Sequence, residues 1–129
     1  MSDLRSYISQ IKKINELKTV KSPVSTKYEI AGITAKVDGS DAVLFEKIKE
    51  SDFRLIANLV GTRKRFAIAV GGTENNIHEK VISAIKKAKK PKIISLGKFM
   101  ENKSKNILSM PIVTYFEKES GPFITSSVA

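Results

Sequence analysis

Helical and strand-like patterns alternate along this chain in an order that restricts it to an α/β fold. Apolar residues recur every three or four positions in a segment that starts at Ser2-Asp3 and in another that ends at Asp38-Gly39. Residues 17–20, 42–48 and 53–60 are short, apolar and typical of strands. The predicted order is helix, strand, helix, strand, strand, helix, helix and then strands. This order predicts a small mixed sheet flanked by helices.

Hydroxyl side chains stand at three predicted helix starts. Ser2 is expected to cap the first helix, with Asp3 in its first turn, while Ser25 caps the second. Thr73 is expected to cap the longest helix, over residues 74–90, and residues 63–70 form a shorter one before it. The apolar stripe of the first helix is Leu4, Tyr7, Ile8, Ile11 and Ile14, and that of the longest is Ile77, Val81, Ile85 and Ala88.

The last twenty residues predict two further strands and a domain boundary. Residues 92–95 are a brief strand candidate, and a polar connector then leads to strand-like runs at 112–116 and 123–128, joined by a loop that ends in Gly121-Pro122. A strand at the end of a chain needs a pairing partner. We therefore expect residues 1–109 to be an N-terminal α/β domain and residues 110–129 to be the start of another domain.

Composition excludes several classes of protein. A chain of 129 residues with 41% hydrophobic content is sufficient for one domain with a core. No stretch approaches the ~20 apolar residues of a membrane span, and the N-terminus has no apolar signal region, so a cytoplasmic protein is expected. The absence of cysteine excludes disulfides, thiolate zinc sites and a thiol nucleophile.

The net charge of +10 suggests contact with nucleic acid or an anionic surface. The lysines are dense only between Lys86 and Lys92, and our preferred interpretation of that cluster is a solvated helix face. A small basic nucleic-acid-binding module is the alternative, although aromatic residues are only 7% and tryptophan is absent. Contact of the basic face with an anionic membrane is a third interpretation.

Chemistry-bearing patterns are scarce. No glycine-rich nucleotide motif or nucleophile motif is present. His78, the single histidine, follows Glu74 by one helical turn, but there is no second histidine to complete an ordinary metal site. No catalytic, cofactor-binding or metal-ligating residue is therefore predicted.

Three bases at one predicted helix start form a candidate anion contact. Arg63, Lys64 and Arg65 stand where a helix N-terminus favours anions over cations. One interpretation is a phosphate or carboxylate contact. The other is that Arg63 and Arg65 reach acids elsewhere in the chain, such as Glu46, Glu50 or Asp52.

The chain resembles the N-terminal part of the UbiD family of carboxy-lyases over nearly its whole length. Five pieces carry the resemblance in the right order: Asp3-Leu4-Arg5 ahead of Ile8 and Ile11; Glu29-Ile30-Ala31 with Val37-Asp38-Gly39; Ala42-Val43-Leu44-Phe45-Glu46; Asn58-Leu59-Val60-Gly61-Thr62-Arg63 with Arg65, Ala67 and Gly71; and Pro111-Ile112-Val113-Thr114-Tyr115 with Gly121-Pro122-Phe123-Ile124-Thr125. The chain departs from the family's pattern at Lys49-Glu50, Arg54 and Lys64.

The resemblance implies a part of a decarboxylase for aromatic or α,β-unsaturated carboxylic acids, of the 3-polyprenyl-4-hydroxybenzoate decarboxylase type. Such enzymes use prenylated flavin mononucleotide with a divalent metal and a monovalent cation. Their flavin lies in a split β-barrel domain, and a C-terminal domain forms dimers. The cofactor ligands and the catalytic residues would lie beyond Ala129. The resemblance thus implies a non-catalytic domain that binds no cofactor alone and has the flavin-binding and dimerisation domains as partners, in the same chain or as a separate subunit.

Overall fold

A computed structural model of the chain describes residues 3–91, 93–97, 100–101, 103 and 105–119. Its elements, in chain order, are α1 (Leu4–Lys13), β1 (Leu17–Val20), α2 (Glu29–Lys36), β2 (Ala42–Phe45), β3 (Leu55–Ala57), α3 (Arg63–Ala69), α4 (Ile77–Lys86) and a 3₁₀ turn at Ile107–Ser109.

The three strands form one mixed sheet in the order β1-β2-β3. β1 runs parallel to β2, with Leu17 opposite Ala42, and β2 runs antiparallel to β3, with Phe45 opposite Leu55. The predicted α/β class and the mixed sheet flanked by helices are confirmed.

The central strand β2 divides the core into two layers because neighbouring side chains of a strand point to opposite faces. On one face, Ala42 packs with Tyr7 and Ile11 of α1. On the other face, Val43 and Phe45 belong to a larger cluster that includes Val24, Ile30, Ile48 and Val113. The first helix thus buries only the middle of its predicted stripe, and Leu4 at its start is 57% exposed.

Two predicted hydroxyl caps are wrong because turns use those residues. Helix α2 begins at Glu29, four residues after Ser25, and Tyr28 precedes it at a positive φ of 68°. The Ser25 amide instead donates to the Glu29 carboxylate, which closes a turn ahead of the helix. At α4 the Thr73 amide donates to the side chain of Asn76, and the helix begins only at Ile77. The predicted Ser2 cap of the first helix is wrong as well, because Asp3 is the cap and α1 begins at Leu4.

The predicted strand at residues 112–116 is wrong, because the structure has one isolated bridge there and no strand. This bridge pairs Thr114 with Lys27. Residues 93–95 form no strand. The predicted strand at residues 123–128, the Gly121-Pro122 loop before it, and Lys92 lie outside the described residues.

Candidate functional site

Arg65 is the most deeply buried charged side chain among the described residues, with 0% exposure. It lies in the first turn of α3, whose start is capped by the hydroxyl oxygen of Thr62 accepting from the Arg65 amide at 3.2 Å. From this position the side chain points into the protein, between the α1–β1 turn and the loop that precedes α3.

The Arg65 guanidinium donates four hydrogen bonds within the protein. Nε binds the Leu59 carbonyl oxygen at 3.1 Å, and Nη2 binds the Asn58 carbonyl oxygen at 3.2 Å. Nη1 binds Glu16 Oε2 at 2.8 Å and also the Ser40 carbonyl oxygen. Since a guanidinium has five N–H groups, almost all of its donors are satisfied. Arg65 thereby joins three loops around one end of the sheet.

The loop from Asn58 to Thr62 is shaped to supply these carbonyl groups. Asn58 adopts a positive φ of 56°, and its side-chain amide donates to the carbonyl oxygens of Val37 and Asp41. A Cβ at Gly61 would lie 1.7 Å from Asn58 Oδ1, so only glycine fits there. The Tyr7 hydroxyl, donating to the Leu59 carbonyl oxygen at 2.7 Å, holds the same loop against α1.

Glu16 is the acid that binds two of the three predicted bases. Lys64 Nζ lies 2.8 Å from Glu16 Oε1, and Arg65 binds the other oxygen. The hydrogen bond from Lys64, with that from Arg65, holds the pKa of Glu16 below its ordinary value of 4.5. The suggested partners Glu46, Glu50 and Asp52 were therefore wrong for Arg65. Arg63, the third base, donates from Nη2 to the Glu74 carbonyl oxygen at 2.9 Å.

The structure brings Lys64 and Arg65 together on one carboxylate, and Arg63 points away from them. Arg63 and Lys64 are exposed, whereas Arg65 is not. The predicted anion contact of Arg63, Lys64 and Arg65 stays a prediction.

The described residues do not fit a divalent metal. Among them, no group of three histidine or acidic side chains could hold such an ion. His78 is exposed on α4.

An apolar groove that the sequence analysis missed lies beside β3. Its volume is about 630 Å³. One wall is formed by residues 53–56 and the other by residues 105–111. A second groove, of about 450 Å³, uses residues 53–56 again and adds Leu4, Ile8 and Leu44. The one available signal was the apolar pair Ile107 and Leu108, in a segment interpreted as a polar connector.

Helix α4 presents its apolar stripe to the exterior. Ile77 is buried, but Val81, Ile82 and Ile85 are 37%, 50% and 74% exposed. The predicted apolar stripe is therefore present on α4, but only Ile77 of its members within the helix is buried. The lysines of the cluster that the structure describes, Lys86, Lys87, Lys89 and Lys90, are exposed as well. In the part of the chain that is described, no helix is both long and apolar enough to cross a membrane.

Residues 8–85 match the family model of the 3-octaprenyl-4-hydroxybenzoate carboxy-lyase N-terminal domain, UbiD_N. The matched residues are more than half of the 129 residues. The chain belongs to the UbiD family. The resemblance of the sequence to that family is thereby confirmed, and the match places this chain at the family's N-terminal domain.

Relatives of known sequence or structure agree. Anhydromevalonate phosphate decarboxylase of Methanosarcina mazei is 27% identical over 96% of this chain and 29% of its own length. The UbiD-class enzyme HmfF of Pelotomaculum thermopropionicum, solved with FMN, is 26% identical with a TM-score of 0.82, over 92% of this chain and 28% of that one. Vanillic acid decarboxylase of Sedimentibacter hydroxybenzoicus, in open form, shares the fold with a TM-score of 0.77 at 22% identity, over 95% of this chain and 29% of that one. The chain thus spans less than a third of each relative.

Proposed function

We propose that this chain is the N-terminal domain of a UbiD-type decarboxylase and supports the flavin domain without performing catalysis itself. The observation that carries the proposal is the match of residues 8–85 to the N-terminal domain of these carboxy-lyases. The overlap of the fold with 28% of the HmfF chain, at a TM-score of 0.82, also supports it. The substrates of the whole enzyme would be aromatic or unsaturated carboxylic acids.

The polar groups of the described residues support a structural role. Glu16 has two cationic partners, and its two oxygens accept hydrogen bonds from Lys64 and Arg65. Its lowered pKa keeps it ionised at neutral pH and makes it a weak general base. This arrangement commits both Glu16 oxygens to cationic partners, which stabilises the fold.

The cofactor of the whole enzyme would be prenylated FMN, held with a divalent metal and a monovalent cation by residues that this chain does not include. HmfF is a relative solved with FMN, and an evolved dimeric form of it was solved with prenylated FMN. The partners of this chain would be the flavin-binding and dimerisation domains, covalently linked or as a separate subunit, in the cytoplasm.

Reconstitution tests the proposal. The chain would be combined with a UbiD-class polypeptide from the same source that lacks the matched N-terminal domain, in the presence of prenylated FMN. We expect flavin absorbance to co-elute with the complex and a panel of aromatic and unsaturated acids to reveal decarboxylation. Each polypeptide alone serves as a control. A stable, flavin-loaded complex that decarboxylates none of the acids would contradict the proposal, and so would full activity of the partner without this chain.

The exposed lysines at the end of α4 favour one second candidate, a nucleic-acid-binding module. Binding through these lysines would depend on phosphate contacts and would weaken steeply with salt. A DNA or RNA affinity that is absent, or that does not change between low and physiological salt, would remove this candidate. Binding to anionic vesicles, the third interpretation, is tested with the same salt series.

A further inference from the structure

β3 is an edge strand whose outer side is unpaired among the described residues. The sheet order places β3 beside β2 alone. No hydrogen bond of a turn, loop or cap involves the backbone of Leu55, Ile56 or Ala57 within the described part of the chain. An unpaired edge offers a row of main-chain donors and acceptors to another strand.

The wall opposite this edge is fixed in place. Ser51 Oγ donates to the Ser109 carbonyl oxygen at 2.6 Å, which ties the 3₁₀ turn to the end of the loop before β3. Further along the same segment, Val113 is buried in the main core and Thr114 pairs with Lys27. The groove is therefore preformed on both sides, which lowers the entropic cost of filling it.

The lining of the groove is apolar and accessible. Phe53 is 51% exposed, Ile107 is 60% exposed and Met110 is 44% exposed. Arg54 and Lys105 are the cationic residues of the lining. No acidic side chain among the described residues is part of this lining, and Leu55 and Ile56 of the edge strand β3 belong to it. These features suit an extended polypeptide better than a small ligand.

We infer that the groove between residues 53–56 and 105–111 receives an extended, apolar segment of the remaining part of a UbiD-class enzyme, which adds to β3 as a further strand. The inference rests on the proposed function. Two observations indicate this occupant. The wall at residues 105–111 lies beyond residues 8–85, which the domain model matches. The relatives also have more than two thirds of their length outside the portion that this chain spans. Acidic residues beside the apolar segment would face Arg54 and Lys105.

Site-specific photocrosslinking tests the inference in the source cell. A benzophenone amino acid replaces Phe53 in the groove, or Ile85 on α4 as the matched control, since both side chains are apolar and exposed. We expect Phe53 to crosslink to the UbiD-class polypeptide, in the same chain or in a separate subunit, and Ile85 to give about tenfold less of that product. Crosslinks to that polypeptide from position 85 and none from position 53 would refute the groove as the contact site, while leaving the proposed function intact. If neither position crosslinks to a UbiD-class polypeptide, the result contradicts the proposed function itself, and the groove inference with it.

Two measurements on the isolated complex separate strand addition from looser packing. Phe53→Asp is expected to weaken the complex about tenfold or more, whereas Ile85→Asp leaves its affinity unchanged. Hydrogen exchange of the amides in residues 53–57 is expected to slow by about tenfold or more on assembly. A complex that forms without slower exchange at this edge would overturn strand addition, and an unchanged affinity of the Phe53→Asp variant would overturn the groove as the contact.

Discussion

Arg65 and Glu16 form a 2.8 Å ion pair across 49 positions of the chain, and Arg65 is fully buried. The pair joins the first turn of α3 to the turn between α1 and β1. Three backbone carbonyl groups complete the surroundings of the guanidinium, so the buried cation has a partner on every side. This contact therefore holds together the loops at one end of the sheet.

Removal of the Arg65 side chain is expected to destabilise the fold strongly. Arg65→Met would remove four hydrogen bonds and a cationic partner of Glu16, and the loss of one member of a buried ion pair typically costs about 3–5 kcal/mol. Arg65→Lys should recover only part of this loss because an ammonium group cannot make the forked set of bonds. The free energy of unfolding from urea titration measures both effects.

Arg63→Met is the matched control on the same helix turn. Arg63 is exposed and donates to one carbonyl oxygen, so the change should cost ~1 kcal/mol or less. Equal destabilisation by Arg63→Met and Arg65→Met would show that the buried contact contributes no more to the free energy of unfolding than an exposed one.

Acid should weaken the fold through Glu16. The folded state holds the pKa of Glu16 below its ordinary value of 4.5, chiefly through the hydrogen bond from Lys64 and then through that from Arg65. A lowered pKa contributes stability that is complete above the unfolded value and is lost as the pH falls through the folded value. Glu16→Gln should therefore be less stable than the wild type at pH 7 and should lose less stability between pH 5 and about pH 3.

Urea titrations at a series of pH values check this expectation. Some acid sensitivity should persist in Glu16→Gln, since the pKa values of Asp3, Glu29 and Glu50 are lowered as well. Glu46→Gln, a change at an exposed acid on the far end of β2, should follow the wild type. An acid response of Glu16→Gln as steep as that of the wild type would refute the assigned role.

Local patterns predicted the elements of this domain, whereas the partners of its charged residues depended on distant contacts. The helical periodicity of residues 4–14 identified α1 because the signal lies within the helix itself. The burial of Arg65 could not be predicted from three adjacent bases, since its acid lies on a turn that only the fold brings near. The residues Asn58, Gly61 and Arg65, which carry part of the family resemblance, also act together only in the fold. Asn58 and Gly61 shape the loop whose carbonyl groups bind the Arg65 cation.

Cap residues show a second reason for error. Ser25 and Thr73 have the right chemistry for a helix start, but each is used in a turn ahead of its helix. Ser, Thr, Asn and Asp satisfy turns and caps by the same hydrogen bonds, and sequence alone does not separate the two uses. The stripe of α4 shows a further limit, because periodicity identifies an apolar face but does not identify what covers it.

Glu50 organises the turn before α2. Its carboxylate accepts from the Ser25 hydroxyl and, at 2.9 Å, from the Thr26 amide. Glu50→Gly should therefore accelerate hydrogen exchange of the Thr26 amide by about tenfold, the effect of one lost hydrogen bond to a charged group. Asp52→Asn, on the same exposed loop, is the control. Unchanged exchange at Thr26 would mean that the turn is held without Glu50.

A phosphate titration followed by amide chemical shifts tests the predicted anion contact at Arg63, Lys64 and Arg65. Glu16 already supplies one carboxylate oxygen to Lys64 and the other to Arg65, and a second anion would have to displace it. We therefore expect no saturable shift at residues 61–65 in the wild type. Glu16→Gln frees Lys64 and removes the competing charge, so phosphate should shift the amide signals of residues 62–64 in that variant. A saturable response of the wild type that disappears in Lys64→Met would instead establish an anion site that coexists with the ion pair.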